Sequence, residues 1–256
     1  MSGGHTHQLY VEHETLVHRL PPQCKLIAVL TFVIAVVSTP RSVVWPYAVY
    51  AGALAAVAVL ARIPAPLILR RMVVEVPFVV FALLLPVISR GPRVDVLGVS
   101  MSESGLAAAG ILLAKGTLGV VASILLAATT RPRDLLLGLQ HLRMPQLLVQ
   151  IMTFMFRYVE VVLAEMGRMR VARESRGFRA RNLGQLRALA HSAGALFIRC
   201  FERGERVHLA MLSRGYSGRL PTLDGAQARS TDWAVAACLP AAAVLASAAA
   251  WFAVGR

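Results

Sequence analysis

Long runs of uncharged apolar residues alternate with short polar segments along most of the chain. Five such runs cover residues 26–39, 43–61, 72–89, 106–130 and 233–255. Because a helix that crosses a bilayer needs about 20 apolar residues, the second, fourth and fifth runs predict spanning helices. The first run is short, and we interpret it as one arm of a hairpin with the second. The third contains Glu75, Pro77 and Pro86, which predicts a bent or tilted helix.

A different pattern begins after residue 130. Apolar residues recur at spacings of three and four through 147–166 and again through 186–207, with the charged residues largely off these stripes. This periodicity predicts long amphipathic helices. Residues 131–229 also hold 17 of the 27 basic residues and 7 of the 13 acidic ones. Since basic residues are enriched on the cytoplasmic side of membrane proteins, we expect this module to be cytoplasmic.

Composition supports a membrane protein. The chain is 57% hydrophobic and only 16% charged, against roughly 25% charged in soluble domains, with a net charge of +14. The predicted fold class is an all-α integral membrane protein with about five transmembrane helices and a cytoplasmic module of long amphipathic helices. The predicted organisation is a cytoplasmic N-terminal segment at 1–25, four spans within 26–130, the cytoplasmic module at 131–230 and a last span within 231–256.

Few residues suggest catalysis or metal binding. The phosphate-binding pattern Gly-x-x-x-x-Gly-Lys-Ser/Thr and the metal-hydrolase pattern His-Glu-x-x-His are both missing. Three cysteines lie far apart in the sequence, which indicates neither a disulfide framework nor a thiolate site. Four histidines (His5, His7, His13 and His18) lie on a polar N-terminal segment, where we expect them to be solvated. We therefore expect no catalytic residue, no cofactor and no metal site.

Two ionisable residues fall inside apolar runs and need an explanation, because intramembrane charges are costly. We expect Glu75 to lie at the cytoplasmic interface beside Arg70 and Arg71. Lys115 lies deeper and has Gly116 and Gly119 close by in the sequence. For Lys115 we favour a packing or pairing role between helices over transport chemistry.

A short motif occurs twice in the basic module, and each copy follows a predicted amphipathic helix. Ser175-Arg176-Gly177-Phe178 is repeated 38 residues later as Ser213-Arg214-Gly215-Tyr216. Helix capping explains glycine and tolerates arginine. It does not require serine before the arginine or an aromatic residue (Phe178, Tyr216) after the glycine. Two rigid guanidinium groups suit acidic grooves on a partner protein, so the repeat predicts two equivalent partner sites.

These motifs resemble a known family. The paired Ser-Arg-Gly segments are similar to the two Ala/Ser-Arg-Gly signatures of the transmembrane (T) component of energy-coupling factor (ECF) transporters. His18-Arg19-Leu20-Pro21-Pro22-Gln23-Cys24-Lys25-Leu26 resembles the family's N-terminal motif but departs from it at Pro21, Gln23 and Cys24. Residues 139–145 and 131–135 resemble two further family motifs, Leu-Arg-x-Pro and Pro-x-Glu/Asp-Leu. Within the family, the chain looks most like the cobalt-transport branch, CbiQ.

The resemblance implies a non-catalytic coupling subunit in a bacterial inner membrane. Its Ser-Arg-Gly signatures would end two coupling helices and dock into two ATP-binding cassette ATPase subunits. A separate substrate-binding membrane component, CbiM-like and with a small accessory subunit, would carry cobalt or nickel. A vitamin-specific substrate component is an alternative within the same family. From the residues alone, an ordinary ABC permease and a membrane-anchored basic protein that binds anionic lipid or nucleic acid also remain open.

Overall fold

The structure, a computed structural model, describes residues 10–11, 13–89, 93–96, 99–178, 186–218 and 228–254. The chain divides into two compact units, which we describe separately. The first, here called the bundle, contains residues 4–141 and 226–256. The second, here called the helix pair, contains residues 1–3 and 142–225.

Helices make up most of the described residues of both units. In the bundle the elements are α1 (Leu16–Arg19), α2 (Pro22–Ser38), α3 (Trp45–Leu60), α4 (Ala65–Arg71), a 3₁₀ turn (Met72–Glu75), α5 (Val76–Ile88), β1 (Arg93–Val96), β2 (Val99–Ser102), α6 (Glu103–Thr129), α7 (Pro132–His141) and, after the helix pair, α10 (Ser230–Val254). The helix pair consists of α8 (Gln146–Ser175) and α9 (Leu186–Leu212).

The predicted fold class is confirmed, because each of the five apolar runs is mainly helical. In the described ranges, α6, α8 and α10 are long and apolar enough to cross a membrane, and α2 and α3 are shorter apolar helices. The protein is a predominantly helical, multi-pass membrane protein. Since α8 also meets the length and composition for a span, the cytoplasmic location of the module and the predicted boundaries at 25, 130 and 230 stay predictions.

The third apolar run differs from its prediction in where helical structure begins. Helix α4 already starts at Ala65, and a 3₁₀ turn over Met72–Glu75 separates it from α5. Pro77 lies in the first turn of α5, where its missing N–H costs nothing because that position has no intrahelical acceptor. Pro86 lies inside α5. A 3₁₀ turn thus lies just before Pro77, and the predicted bend or tilt of this segment stays a prediction.

A small antiparallel hairpin joins α5 to α6 and was not predicted. Strand β1 pairs with β2, with Arg93 opposite Ser102 and Val96 opposite Val99. Apolar and polar residues alternate through both strands, which is the signal that could have identified them. The hairpin lies between two strongly helical patterns, and each of its strands has only four residues.

The core of the bundle lies between α2, α3, α6 and α10. Its largest fully buried side chains include Phe32, Val36 and Tyr50, and the Phe32 and Tyr50 rings meet edge to face with centroids 5.9 Å apart. The buried face of α10 carries mostly alanines: Ala236, Ala243, Ala246 and Ala250. Small side chains let helix backbones approach closely, which is how helices associate in lipid.

The C-terminal end of α2 is capped by side chains from other helices. Lys115 on α6 donates from Nζ to the backbone oxygens of Val37 (2.7 Å) and Thr39 (2.9 Å). Trp251 on α10 donates from Nε1 to the oxygen of Ser38 at 3.0 Å. The last carbonyls of a helix have no partner within it, and in lipid no water can replace one. The predicted pairing role of Lys115 between helices is confirmed.

A second lysine makes the reciprocal contact at the end of α6. Lys25, in the first turn of α2, donates from Nζ to the oxygen of Thr129 at 2.9 Å and to the oxygen of His18 at 3.1 Å. Helices α2 and α6 run antiparallel, so each supplies a lysine that caps the other's C-terminal end. In the sequence Lys25 is part of the family motif, and nothing there predicts that it caps α6, because Thr129 lies 104 residues away.

Glu75 packs inside the bundle, and its predicted location at the cytoplasmic interface beside Arg70 and Arg71 stays a prediction. Its side chain is buried, with 3% exposure, and its Oε1 accepts a hydrogen bond from Thr117 Oγ1 on α6 at 2.5 Å. A side chain at Gly116 would come within 3.5 Å of the same oxygen. The 3₁₀ turn directs Glu75 toward α6, and the residue links these two elements.

Candidate functional site

The first repeated motif forms the C-terminal cap of α8. Gly177 has a positive φ of 77°, which glycine adopts without steric cost. Its N–H donates to the Glu174 oxygen at 3.0 Å, and the N–H of Phe178 donates to the Arg173 oxygen at 3.1 Å. This pair of bonds is the Schellman motif. The hydroxyl of Ser175 donates back to the Ala172 oxygen at 3.1 Å, which occupies one more carbonyl of the last turn.

The second motif forms the same cap on α9. Gly215 has a φ of 81°. Its N–H donates to the Leu212 oxygen at 3.0 Å, and the N–H of Tyr216 donates to the Met211 oxygen at 3.0 Å. Ser213 Oγ donates to the oxygen of the residue three positions earlier at 3.0 Å. The repeat in the sequence is therefore a repeat in structure, bond for bond.

Arg176 and Arg214 occupy the same position in the two caps, directly before the glycine. Both side chains are exposed, and within the described ranges neither guanidinium group makes a hydrogen bond or an ion pair. The serine and the glycine of each motif are explained by the cap, and the arginine is not. Two rigidly held helix ends thus each present a planar group of five donors that can bind a carboxylate in a bidentate manner.

One ion pair joins the middle of the two helices. Glu165 on α8 binds Arg168 on its own helix and Arg199 on α9. Arg168 also donates from Nε to Glu165 at 3.1 Å. Arg168 therefore has a structural partner, in contrast to the arginines at the helix ends, and the ion pair with Arg199 fixes where the helices of the pair meet.

A glutamine near the start of α8 holds the cap of α9 and was missed in the sequence. Gln150 Oε1 accepts from the hydroxyl of Tyr216 at 3.0 Å, and Gln150 Nε2 donates to the oxygen of Gly218 at 2.9 Å. Gln150 is 8% exposed. An amide in an apolar stretch of a helix is the kind of signal that could have identified it, because buried polar groups are normally hydrogen-bonded.

A groove of about 580 Å³ lies between α8 and α9. Residues of α8 line one wall and residues of α9 the other, with aromatic, aliphatic and charged side chains mixed. The groove is lined by Phe154, Tyr158, Val161, Val162, Glu165, Arg199, Cys200, Glu202, Arg203, Gly204, Arg206, Val207, His208 and Met211, and by Tyr216 beyond α9.

The N-terminal histidines are not all solvated as predicted. His5 and His7 lie outside the described residues. His18 is partly buried, and its Nδ1 lies 2.7 Å from the hydroxyl of Thr15. Burial lowers the pKa of His18, and the nearby charge of Lys25 lowers it further. Among the described residues, no group of three or more His, Cys, Asp or Glu side chains could hold a metal ion.

The helical bundle and the two matched helix ends define a class: a multi-pass membrane protein with a pair of equivalent, arginine-tipped helix ends. Comparison with known proteins assigns the family. The chain belongs to the CbiQ family of cobalt transport proteins, whose family model matches residues 13–223. The relationship to the cobalt-transport branch expected from the sequence motifs is confirmed.

Individual relatives carry related names. A protein named cobalt transport protein CbiQ from Rhodobacter capsulatus is 29% identical over 52% of this chain and 54% of its own length. A protein named putative fused cobalt transport protein CbiMQ from Methanocorpusculum labreanum is 29% identical over 52% of this chain and 22% of its own length. The ECF transporter transmembrane protein EcfT of Bacillus subtilis is 26% identical over 82% of this chain and 83% of its own length. The chain thus matches about half the length of the Rhodobacter relative.

Proposed function

We propose that this protein is the non-catalytic coupling subunit of an ECF importer. In this proposal two ATP-binding cassette ATPase subunits dock on the Arg176 and Arg214 ends, and the chain transmits their movement to a substrate-binding membrane subunit. The single observation that carries it is the identical geometry of two caps that leave their arginines exposed. The missing phosphate-binding pattern supports it as well, because ATP would have to be hydrolysed by a partner.

The substrate that the comparisons support best is a cobalt ion, with nickel as the related choice. The family and the Rhodobacter relative are named for cobalt transport. The fused relative from Methanocorpusculum joins a CbiM and a CbiQ part by name, which supports a CbiM-like substrate-binding subunit, with a small accessory subunit, as the partner in the bilayer. We locate the complex in the cytoplasmic membrane with the helix pair on the cytoplasmic side.

Mechanically, the helix pair is suited to transmitting motion. When ATP closes the two ATPase subunits, the docked arginine ends are displaced, and the rigid helices carry that displacement along their length. Helix α8 spans 30 residues, about 45 Å at 1.5 Å per residue. Both helices also expose large apolar side chains, Met155 and Phe197 among them, and these faces offer a surface for a membrane partner.

The test replaces the two helix-end arginines. If Arg176 and Arg214 only complement helix dipoles, each change to Ala costs roughly 0.3 to 1 kcal/mol and the complex still assembles. If each is a desolvated anchor in an acidic groove, truncation costs about 2 to 5 kcal/mol of binding. We expect single changes to lower ATPase activity and cobalt uptake, the double change to release the ATPase subunits, and Arg→Lys to restore only part of the activity.

Arg168→Ala is the matched control, since this exposed arginine lies on the same helix as Arg176 but is bound to Glu165. We expect that variant to keep its ATPases. Co-purification of the subunits and cobalt uptake by vesicles that contain the whole complex give the two readouts. A double variant that retains its ATPases and transports normally would leave helix capping as the whole explanation of the repeat.

A further inference from the structure

The two docking ends differ in one respect despite their matching caps. The aromatic residue that follows the glycine is Tyr216 in the α9 cap, and its hydroxyl is bonded to Gln150 of α8. In the α8 cap this position is Phe178, which has no hydroxyl and cannot make that bond. The Arg214 end is therefore tied to the start of the neighbouring helix by a side-chain contact that the chemistry of the Arg176 end does not permit.

The contact consists of two hydrogen bonds of Gln150 and is shielded from water. Gln150 accepts from Tyr216 with one atom and donates to the backbone of Gly218 with the other. One amide thus holds both the residue after the cap and the chain two residues further on. Because Gln150 is 8% exposed, water cannot readily replace either bond. An amide left unpaired in such a place is costly, so the contact specifies one position for the cap.

A second tie lies further along the helices and sets their direction. Gln150 of α8 is joined to Tyr216, whereas Glu165 of α8 is joined to Arg199 of α9. Moving forward along α8 therefore means moving backward along α9, and the helices are antiparallel. The ties are 15 residues apart on α8, or about 22 Å. The groove lies between them, so the helices are joined at two points.

These contacts connect the two docking ends through the helix pair. From Arg214 the path runs through Tyr216 to Gln150 at the start of α8, and along α8 to Arg176 at its far end. Gln150 and Arg176 are 26 residues apart, about 39 Å along the helix. A displacement of the Arg214 end reaches α8 at Gln150 as well as at Glu165.

We propose that Gln150 is a positioning residue that anchors the Arg214 end to the start of α8, which makes the two ATPase contacts mechanically unequal. The Arg214 end is bonded to the neighbouring helix directly through Tyr216, whereas force from the Arg176 end first runs along its own helix and reaches α9 only at the ion pair of Glu165 with Arg199 among the described contacts. This inference rests on the proposed function, since it concerns how the docked ends act rather than whether they dock.

Tyr216→Phe tests the proposal because it removes one hydroxyl and keeps the ring. The variant is prepared as the whole complex in vesicles, and three quantities are measured: ATPase subunits retained, ATP hydrolysed and cobalt ions taken up. We expect normal retention of both ATPases and about a fivefold fall in cobalt ions taken up per ATP, the factor that corresponds to the loss of one net hydrogen bond. Loss of folded complex alone would lower hydrolysis and uptake together and leave their ratio unchanged.

A second variant and a control sharpen the result. Gln150→Met removes both bonds, so we expect a larger fall in cobalt ions taken up per ATP than for Tyr216→Phe. Adding Tyr216→Phe to Gln150→Met should not lower this ratio further. Tyr158→Phe is the control, because it removes from the same groove a hydroxyl that has no hydrogen-bond partner among the described residues. This control should transport like the unaltered protein.

The outcomes separate this inference from the proposed function. If the arginine variants lose their ATPases while Tyr216→Phe and Gln150→Met keep the normal ratio, the anchoring role is wrong and the docking role stands. An equal fall in the ratio for Tyr158→Phe would also overturn the anchoring role. If the complex takes up no cobalt, or if the double arginine variant keeps its ATPases and transports normally, the proposed function fails first and the anchoring role fails with it.

Discussion

At the residue scale, the two cap glycines determine how the arginines are presented. Gly177 and Gly215 adopt φ values of 77° and 81°, a region in which a side chain clashes with the backbone at a cost of roughly 1 to 2 kcal/mol. In each cap the N–H of the glycine itself and that of the next residue satisfy the last carbonyls. The direction of each arginine therefore depends on the residue that follows it.

We predict that Gly177→Ala and Gly215→Ala each destabilise the local cap by about 1 kcal/mol, and that Asn at either position costs less because it tolerates this conformation better. Amide hydrogen exchange over residues 172–178 and 210–216 measures the effect. Gly167→Ala is the control, since Gly167 lies inside α8 with open space around its α-carbon. This control should leave exchange unchanged or slow it. Equal exchange in all variants would argue against the cap.

At the element scale, α2 and α6 are held together by two lysines that cap each other's helix. Helix α2 has only 17 residues, and its final carbonyls are bonded to Lys115, to Trp251 and to Thr39, whose hydroxyl donates to the Ala35 oxygen at 2.9 Å. A short helix in an apolar environment cannot leave these groups to water. Lys115 thus allows the helix to end where it does.

We predict that Lys115→Met lowers the stability of the folded protein by about 2 to 6 kcal/mol, since two carbonyl groups lose their donor at 1 to 3 kcal/mol each. Lys115→Arg should recover part of this loss. The free energy of unfolding in detergent is the measurement. Ser123→Ala serves as control, because Ser123 on the same helix bonds, among the described residues, only to the oxygen of Gly119 one turn earlier. A Lys115→Met variant as stable as the control would contradict the capping role.

At the scale of the whole molecule, the charges of the connecting segments predict which helices cross the bilayer. The distribution of arginines and lysines predicts that reporters fused after Ala61 and after Arg133 lie in the cytoplasm, and that those after Arg41, after Arg93 and at Arg256 lie on the far side. A reporter after Arg176 should also be cytoplasmic if α8 does not cross. Opposite locations for the reporters after Arg133 and Arg176 would show that α8 is a span, and a cytoplasmic Arg256 would mean a miscounted span.

The sequence alone determined the membrane class, the long apolar and amphipathic helices and the repeated motif. Length and hydropathy of a segment are local properties, so α3, α6 and α10 follow directly from their apolar runs. The capping role of the two glycines was also predictable, because a helix commonly ends at a residue with positive φ, which favours glycine. The bond-for-bond match of the two caps follows from two nearly identical short sequences, each of which closes its own helix.

Tertiary structure alone decided what depends on distant partners. A pairing role of Lys115 was predictable from the sequence, but its partners were not, because the two acceptor oxygens lie 76 and 78 residues away. The bond of Glu75 to Thr117 was not predicted, because the two residues lie 42 positions apart and meet only where the 3₁₀ turn packs on α6. Gln150 belongs to no sequence motif, and its partners, Tyr216 and Gly218, follow another helix. Such contacts form only when helices pack, and the hydropathy of a segment carries no information about which neighbour it will meet.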